Sequence, residues 1–161
     1  MAGWAFRISL PVSRLADLLT PENVLLDLDV ANKRRLFEII ALESELRYDL
    51  TPTVTVDSLL ARERLGSTGL GQGIAIPHGR IRGLDRAIGF FARPKAPIPF
   101  EAPDNQPVRD IFVLLVPEAA TDEHLQILSE LAQRFSNRSF RDALTAATDP
   151  KAIHALFSAP Q

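Results

Sequence analysis

The chain has 161 residues, enough for one domain with a continuous core, a formal net charge of −2 and no cysteine. This charge gives no electrostatic basis for binding nucleic acid, and the lack of cysteine excludes disulfides and thiolate metal sites. The N-terminus does not have the pattern of a signal peptide, and no apolar run approaches the roughly 20 residues of a membrane-spanning helix. We therefore expect a soluble, cytoplasmic protein with one domain over residues 1–161 and a core at about 13–157.

The first part of the chain is predicted to alternate helices and strands. Ser13–Leu19 has the pattern of a short helix, and in Leu26–Leu28 leucine alternates with aspartate, as in a half-buried strand. Asn32 is a suitable cap for the helix that follows, because its side chain can accept from a free backbone N–H group. A second helix is predicted from about Thr55 to Leu65, and Gly66 ends it.

The stretch Gly66–Arg80 reads GSTGLGQGIAIPHGR, and four of the chain's eight glycines lie between Gly66 and Gly73. Glycines allow backbone N–H groups to converge on an anion, and Ser67 and Thr68 add hydroxyl donors. Ile74–Ile76 predicts a short buried strand, which places His78 at an exposed tip after it. Because an unperturbed imidazole has a pKa of about 6.5, a neutral histidine there is a nucleophile that can take a phosphoryl group.

The middle of the chain is predicted to form a turn and two strands. Gly79–Arg86 carries three arginines, and we expect it to be a solvated turn, since isolated surface charges contribute little to stability. Strands are predicted at about Ala87–Ala92 and Asp110–Val116, joined by a stiff, proline-rich connection. The second strand is apolar without interruption, so it is expected to be central and covered on both faces.

Three helices are predicted in the last part of the chain. Thr121 or Asp122 begins the first of them, and its expected buried stripe comprises Leu125, Leu128, Leu131 and Phe135. His124 lies on this stripe, either packed at the edge of the core or held neutral by the helix N-terminus as a hydrogen-bonding group. Ser139–Ala147 and Pro150–Phe157 follow as short helices. The alternation indicates an α/β fold, a sheet with helices on both faces.

The segment Arg62–Gly79, RERLGSTGLGQGIAIPHG, closely resembles the active-site signature of a group of phosphotransferase-system enzyme IIA proteins. This group serves fructose, mannitol and nitrogen regulation, and the chain is most similar to the stand-alone nitrogen-regulatory form. Further matches are DNQPV at Asp104–Val108, LLVP at Leu114–Pro117 and HLQ at His124–Gln126, so the resemblance covers nearly the whole chain. Gln72 stands where relatives often carry asparagine. The resemblance implies a mixed sheet of about five strands.

The resemblance also implies a mechanism, phosphoryl transfer through a phosphohistidine at Nε2 of His78. The donor would be a histidine-containing phosphocarrier protein, and neither a metal nor a nucleotide cofactor is required. Arg62 would neutralise the phosphoryl charge, because guanidinium geometry matches phosphate oxygens. His124 would hold the phosphoryl group from a second side. The further phosphoryl-binding residues are predicted to be Ser67, Thr68 and Gly69.

Several functions remain open from the sequence. From these residues we expect no attached IIB or IIC domain, which favours a regulator whose phosphorylation state is read by target proteins such as kinases or transporters. Transfer to a sugar-specific IIB domain for fructose- or mannitol-type uptake is an alternative. Another is an interaction module with a vestigial histidine site. A metal-dependent hydrolase would need His78 and His124 to share an ion, and no HExxH spacing supports it.

Overall fold

A mixed six-stranded β-sheet with helices on both faces makes up the fold in the computed structural model, which describes residues 14–119 and 122–160. The strands are β1 (Val24–Leu28), β2 (Gly69–Gly71), β3 (Ile74–Ala75), β4 (His78–Ile81), β5 (Ile88–Pro94) and β6 (Asp110–Pro117). The helices are α1 (Lys33–Tyr48), α2 (Pro52–Leu65), α3 (Asp122–Ser136), α4 (Arg138–Ala146) and α5 (Pro150–Ser158). The predicted α/β class is confirmed, with six strands instead of about five.

The central strand of the sheet is β6. It pairs antiparallel with β5 along one edge, and parallel with β3 and then β4 along the other. β1 extends the sheet beyond β5, and β2 extends it beyond β3. His78, the first residue of β4, pairs with Leu114 in the middle of β6. The histidine is therefore fixed to the most central element of the sheet.

Two hydrophobic cores lie on opposite faces of the sheet, and β6 contributes to both. Ile111, Val113 and Leu115 enter the core that α1 and α2 cover. The residues that alternate with them enter the second core, under α3, α4 and α5. They are Phe112, Leu114 and Val116. This alternation is the period of a strand. The prediction that the strand is central and covered on both faces is confirmed.

The helix α2 begins at Pro52, before its predicted start at about Thr55. Two other predicted helices also differ in detail from the structure. The first is a short 3-10 helix, Arg14–Asp17, and its predicted start at Ser13 lies outside the described residues, as does Thr121. In α3 the predicted stripe is wrong at Leu125, which is 62% exposed. The buried positions of this helix are instead His124, Ile127, Leu131, Arg134 and Phe135. No helix in the described ranges is both long and apolar enough to cross a bilayer.

A buried ion pair connects the sheet to the C-terminal helices. Nε of Arg93 in β5 lies 2.7 Å from Oδ1 of Asp110 in β6, and both side chains are largely buried. Nη1 of Arg93 donates to the carbonyl oxygen of Ala147, and Nη2 donates to that of Leu144, each at 2.9 Å. These carbonyls lie at the end of α4, where helical acceptors have no partner within the helix. One guanidinium thus neutralises a buried carboxylate and caps a helix.

Arg93→Met is expected to lower the free energy of unfolding by about 3 kcal/mol, because it leaves Asp110 buried without its main partner. Urea denaturation followed by circular dichroism measures this change. Arg47→Ala is a suitable control, since Arg47 pairs with Glu43 on the surface of α1 at 3.2 Å. That variant is expected to lose less than about 1 kcal/mol. Equal losses in the two variants would contradict the anchoring role of Arg93.

Candidate functional site

His78 opens β4 and is half-buried, close to Arg62 of α2 and His124 of α3. The prediction of an exposed tip is wrong, because the chain resumes its pairing with β6 after the proline. β3 does end before Pro77, but the carbonyl oxygen of Pro77 accepts from the N–H group of Leu114 at 2.9 Å. The imidazole is consequently mounted on a paired strand, which restricts the positions that it can take.

The hydrogen bonds of the His78 ring define its tautomer. Nδ1 lies 3.0 Å from the carbonyl oxygen of Ile76, which can only accept, so Nδ1 carries the proton of the neutral ring. Nε2 then has a free lone pair. Nε of Arg62 donates to this lone pair at 3.2 Å. The ring therefore presents its nucleophilic nitrogen toward a guanidinium group.

The surroundings of His78 favour the neutral ring. Burial lowers the pKa of His78 below its ordinary value of 6.5, the hydrogen bond with Ile76 opposes this shift, and the charge of Arg62 adds to it. The balance leaves the pKa lowered. A ring with a lowered pKa is uncharged at neutral pH, as a nucleophile must be.

Arg62 reaches His78 from the last turn of α2. Its Nη1 also donates to the carbonyl oxygen of Gly66 at 2.8 Å, which holds the side chain against the end of the helix. The helix can approach β4 because residue 79 is glycine: a Cβ atom on Gly79 would lie 2.5 Å from Oγ of Ser58. Ser58 in turn donates to the carbonyl oxygen of Arg80 at 2.9 Å. This close packing sets the distance between Arg62 and the imidazole.

His124 faces His78 from the first turn of α3, with 5.9 Å between the ring centroids. It is buried, and neither of its ring nitrogens has a hydrogen-bond partner among the described residues. Burial lowers the pKa of His124, and the neighbouring His78 and Arg80 lower it further. The ring is thus buried close to His78, and its role as a hydrogen-bonding group toward a phosphoryl group stays a prediction. In the described ranges, no group of three or more histidine, aspartate or glutamate side chains has the arrangement of a metal site.

The first part of the glycine-rich stretch, Gly69–Ala75, is a β-hairpin. β2 and β3 pair antiparallel, and the two residues between them, Gln72 and Gly73, have φ angles of 60° and 76°. Positive φ at both positions is the geometry of a tight hairpin turn, which glycine permits. A glycine-rich sequence is therefore compatible with a hairpin as well as with a loop. The backbone N–H group of Gln72 donates to Asp104 at 3.0 Å, so an internal carboxylate already occupies the turn.

The predicted phosphoryl-binding residues Ser67, Thr68 and Gly69 line an open pocket together with Arg62 and His78. Their polar groups make internal hydrogen bonds. Oγ of Ser67 donates to the carbonyl oxygen of Phe100 at 2.5 Å and accepts from the N–H group of Gly69 at 3.0 Å. The hydroxyl group of Thr68 donates to Glu63. The structure therefore brings these residues to the site, and their role toward a phosphoryl group stays a prediction.

Two charged residues near the site were not identified from the sequence. Glu63 follows Arg62 directly, yet its side chain is only 4% exposed, and it binds Lys33 and Thr68. Arg80 lies in β4, two residues after His78 and so on the same face of the strand. The prediction of a turn over Gly79–Arg86 is wrong for its first three residues, which pair with β6. The position of Glu63 directly after Arg62 was the feature of the sequence that could have identified it. The helical periodicity, however, did not predict that Glu63 is buried.

The chain is similar to known proteins over most of its length. The family model described as "Phosphoenolpyruvate-dependent sugar phosphotransferase system, EIIA 2" matches residues 17–159. A nitrogen regulatory protein of Pseudomonas aeruginosa is 41% identical over 142 residues, which are 88% of this chain and 92% of that protein. One of Bradyrhizobium diazoefficiens is 36% identical over 146 residues, 91% of this chain and 95% of that protein. The crystal structure of nitrogen regulatory protein IIA-Ntr from Neisseria meningitidis has a TM-score of 0.85 and 46% identity, covering 90% of this chain and 99% of that one. The chain therefore belongs to the EIIA type-2 family of the phosphoenolpyruvate-dependent sugar phosphotransferase system.

Proposed function

We propose that the protein is a regulatory phosphoryl-transfer protein, which accepts a phosphoryl group on Nε2 of His78 from a histidine-containing phosphocarrier protein. The observation that carries this proposal is the tautomer of the His78 imidazole and the group that its free nitrogen faces. Its proton is on Nδ1, bound to Ile76, and its Nε2 lone pair lies beside the guanidinium group of Arg62. A neutral, oriented nucleophile with a positive charge beside it is what phosphoryl transfer requires of a protein.

The transfer exchanges one phosphorus–nitrogen bond for another. The Nε2 lone pair of His78 forms a bond to phosphorus, while the bond to the donor's imidazole breaks and its electron pair returns to the donor nitrogen. Because Nε2 carries no proton, no general base is needed. The Nδ1–H bond to Ile76 persists and stabilises the positive charge that the phosphorylated ring acquires. Arg62 moves from Nε2 to the phosphoryl oxygens, where charge is greatest.

His124 and the hairpin supply further donors in this proposal. The nitrogens of His124 have no partner among the described residues, so the neutral ring can donate to a phosphoryl oxygen without breaking another bond. The hairpin donors are less available to a phosphoryl group than His124, because each must first break an internal hydrogen bond. They are Ser67, Thr68 and the N–H group of Gly69. The phosphoryl group would therefore lie between Arg62 and His124, with the hairpin residues closing the pocket.

His124→Leu tests the second donor, and we expect it to slow phosphorylation of His78 by about tenfold to a hundredfold. Leucine fills similar space without polar atoms, so the variant also removes the cost of two buried nitrogens that lack partners. The melting temperature is therefore expected to stay the same or rise. Rapid-quench mass spectrometry gives the rate, and calorimetry gives the melting temperature. A lower melting temperature with unchanged transfer would instead show that the ring serves the core only.

The regulatory role in this proposal rests on what phosphorylation changes at the surface. A phosphohistidine adds nearly two negative charges to a pocket that is lined by Arg62 and the neutral ring of His78. Target proteins, such as kinases or transporters, would bind one form better than the other. The relatives named as nitrogen regulatory proteins favour this role. The sugar-system name of the family supports an alternative, in which the phosphoryl group passes to a IIB domain of fructose or mannitol type.

The test of the proposed function uses the intact wild-type protein with enzyme I, the histidine phosphocarrier and phosphoenolpyruvate. We expect a mass increase of one phosphoryl group, which acid removes and mild base preserves. Adding IIB domains of fructose and mannitol type then distinguishes the two roles, because loss of the adduct to IIB would support sugar uptake. A folded protein that gains no mass with matched phosphocarriers would contradict the proposal and support an interaction module with a vestigial site.

A further inference from the structure

A chain of hydrogen bonds leads from buried Glu63 to the His78 ring. The N–H group of Thr68 donates to the two carboxylate oxygens of Glu63 at 3.2 and 3.3 Å, and the hydroxyl group of Thr68 donates to the same carboxylate. The carbonyl oxygen of Thr68 accepts from the N–H group of Ile76 at 3.0 Å. The carbonyl oxygen of Ile76 in turn accepts from Nδ1 of His78 at 3.0 Å. Each bond positions the group that makes the next one.

The carboxylate at the start of this chain is held firmly. The side chain of Glu63 is only 4% exposed, and Nζ of Lys33 binds it at 2.9 Å. Lys33 also binds the exposed Glu101 at 2.8 Å and lies over the ring of Phe100. A buried carboxylate is costly unless charged and polar groups satisfy it, and here an ammonium group and two donors of Thr68 do so. These bonds therefore hold the Glu63 carboxylate in one position, and they also hold Thr68 in place.

The last link of the chain helps to select which ring nitrogen is free, together with the hydrogen bond that Arg62 donates to Nε2. A neutral imidazole carries its proton on either nitrogen, and the hydrogen bond of one nitrogen selects the tautomer. The segment Ile76–Pro77 is the gap between β3 and β4, so strand pairing alone does not fix the carbonyl group of Ile76. The N–H bond of Ile76 to Thr68 fixes this residue from the side of β2. The orientation of that carbonyl thus depends on where Thr68 lies.

We propose that Glu63 is a positioning residue for phosphoryl transfer, which acts through Thr68 and Ile76 to keep the His78 proton on Nδ1 and Nε2 free. The inference rests on the proposed function, because a free Nε2 matters only if that nitrogen accepts the phosphoryl group. Glu63 touches neither the imidazole nor the phosphoryl group in this role. Its effect is on the fraction of rings that are ready to react.

The test is the double variant Lys33→Met/Glu63→Met, which removes both carboxylate acceptors without leaving a buried charge unpaired. Nitrogen-15 NMR of the ring is expected to show His78 as a mixture of tautomers, where the wild type shows the Nδ1–H form. Phosphorylation is expected to be about tenfold slower, the usual scale for losing a group that orients a functional histidine. Glu63→Gln keeps one acceptor oxygen for Thr68 and is expected to recover part of both the tautomer preference and the rate.

Arg93→Met is the control for general loss of stability, since that guanidinium binds Asp110 and the end of α4 and makes no bond in the chain described above. It is expected to keep the wild-type ring spectrum. A double variant with the wild-type tautomer and rate would overturn the inference, as would a tautomer change of equal size in Arg93→Met. If the wild type itself gains no phosphoryl group, the proposed function fails, while the NMR comparison still tests the hydrogen-bond chain.

Discussion

His78→Ala is expected to abolish the acid-labile phosphoryl adduct completely, because it removes the acceptor atom and the chain has only two other histidines. The neighbouring His124 does not replace it. Its ring is buried, with its centroid 5.9 Å from that of the half-buried His78, so an incoming donor meets His78 first. Intact-protein mass after incubation with phosphoenolpyruvate, enzyme I and the phosphocarrier measures the adduct. The change should leave the fold intact, since the half-buried side chain contributes no part of either hydrophobic core.

The remaining histidine provides the matched control. His154 is partly buried in α5, where Nε2 lies 3.2 Å from Oγ of Ser158 and no site residue contacts it in the part of the chain described. His154→Ala is expected to be phosphorylated at the wild-type rate. An adduct on His78→Ala would show that another residue accepts the phosphoryl group. Testing His78→Ala together with His124→Ala would then identify His124 as that acceptor if the adduct disappears.

Local sequence patterns predicted most of the secondary structure, because the hydrophobic pattern is clear in the elements that are most deeply buried. The apolar run of β6 predicted a strand covered on both faces, and two complete cores on opposite faces of the sheet explain why it has no polar residue after Asp110. Asn32 was predicted to cap a helix, and its side chain accepts from the N–H group of Arg35 at 2.8 Å. In such places local preference and tertiary packing agree, so a single sequence is enough.

The errors lie where a distant segment determines the local structure. The stretch after Gly66 became a hairpin because β3 finds its partner in β6, more than 30 residues later in the chain. Arg80 lies in a strand for the same reason. Leu125 was assigned to the buried face of α3 by hydrophobicity, but the helix turns His124 inward toward His78. His124 was predicted on the same stripe and is buried; a buried polar residue of this kind often marks a functional site, and here it is adjacent to the proposed acceptor.

Arg62 has two opposing effects on the reaction, and their sizes decide which dominates. Its hydrogen bond to Nε2 of His78 must be broken before the lone pair can attack, and a typical hydrogen bond contributes about 1 kcal/mol to stability. In the transition state the same guanidinium group meets the charge on the phosphoryl oxygens. A preorganised donor of that kind is worth about 3–4 kcal/mol. The favourable effect is larger by about 2–3 kcal/mol, so we expect Arg62 to accelerate the proposed transfer although it binds Nε2 in the resting state.

Arg62→Ala is therefore expected to slow phosphorylation of His78 by about 30- to 150-fold, the change in rate that a net effect of about 2–3 kcal/mol produces, as rapid-quench mass spectrometry would measure. Arg62→Lys keeps the charge but lacks the planar fork of donors, so its rate should lie between those of alanine and arginine. The charge of Arg62 also helps to lower the pKa of His78, so in Arg62→Ala that pKa rises. Since only the neutral ring attacks, the rate falls as pH falls through this pKa, and the midpoint of the variant's pH–rate profile should lie at higher pH than that of the wild type. A faster Arg62→Ala reaction would mean that covering the lone pair is the larger effect and that Arg62 restrains the site.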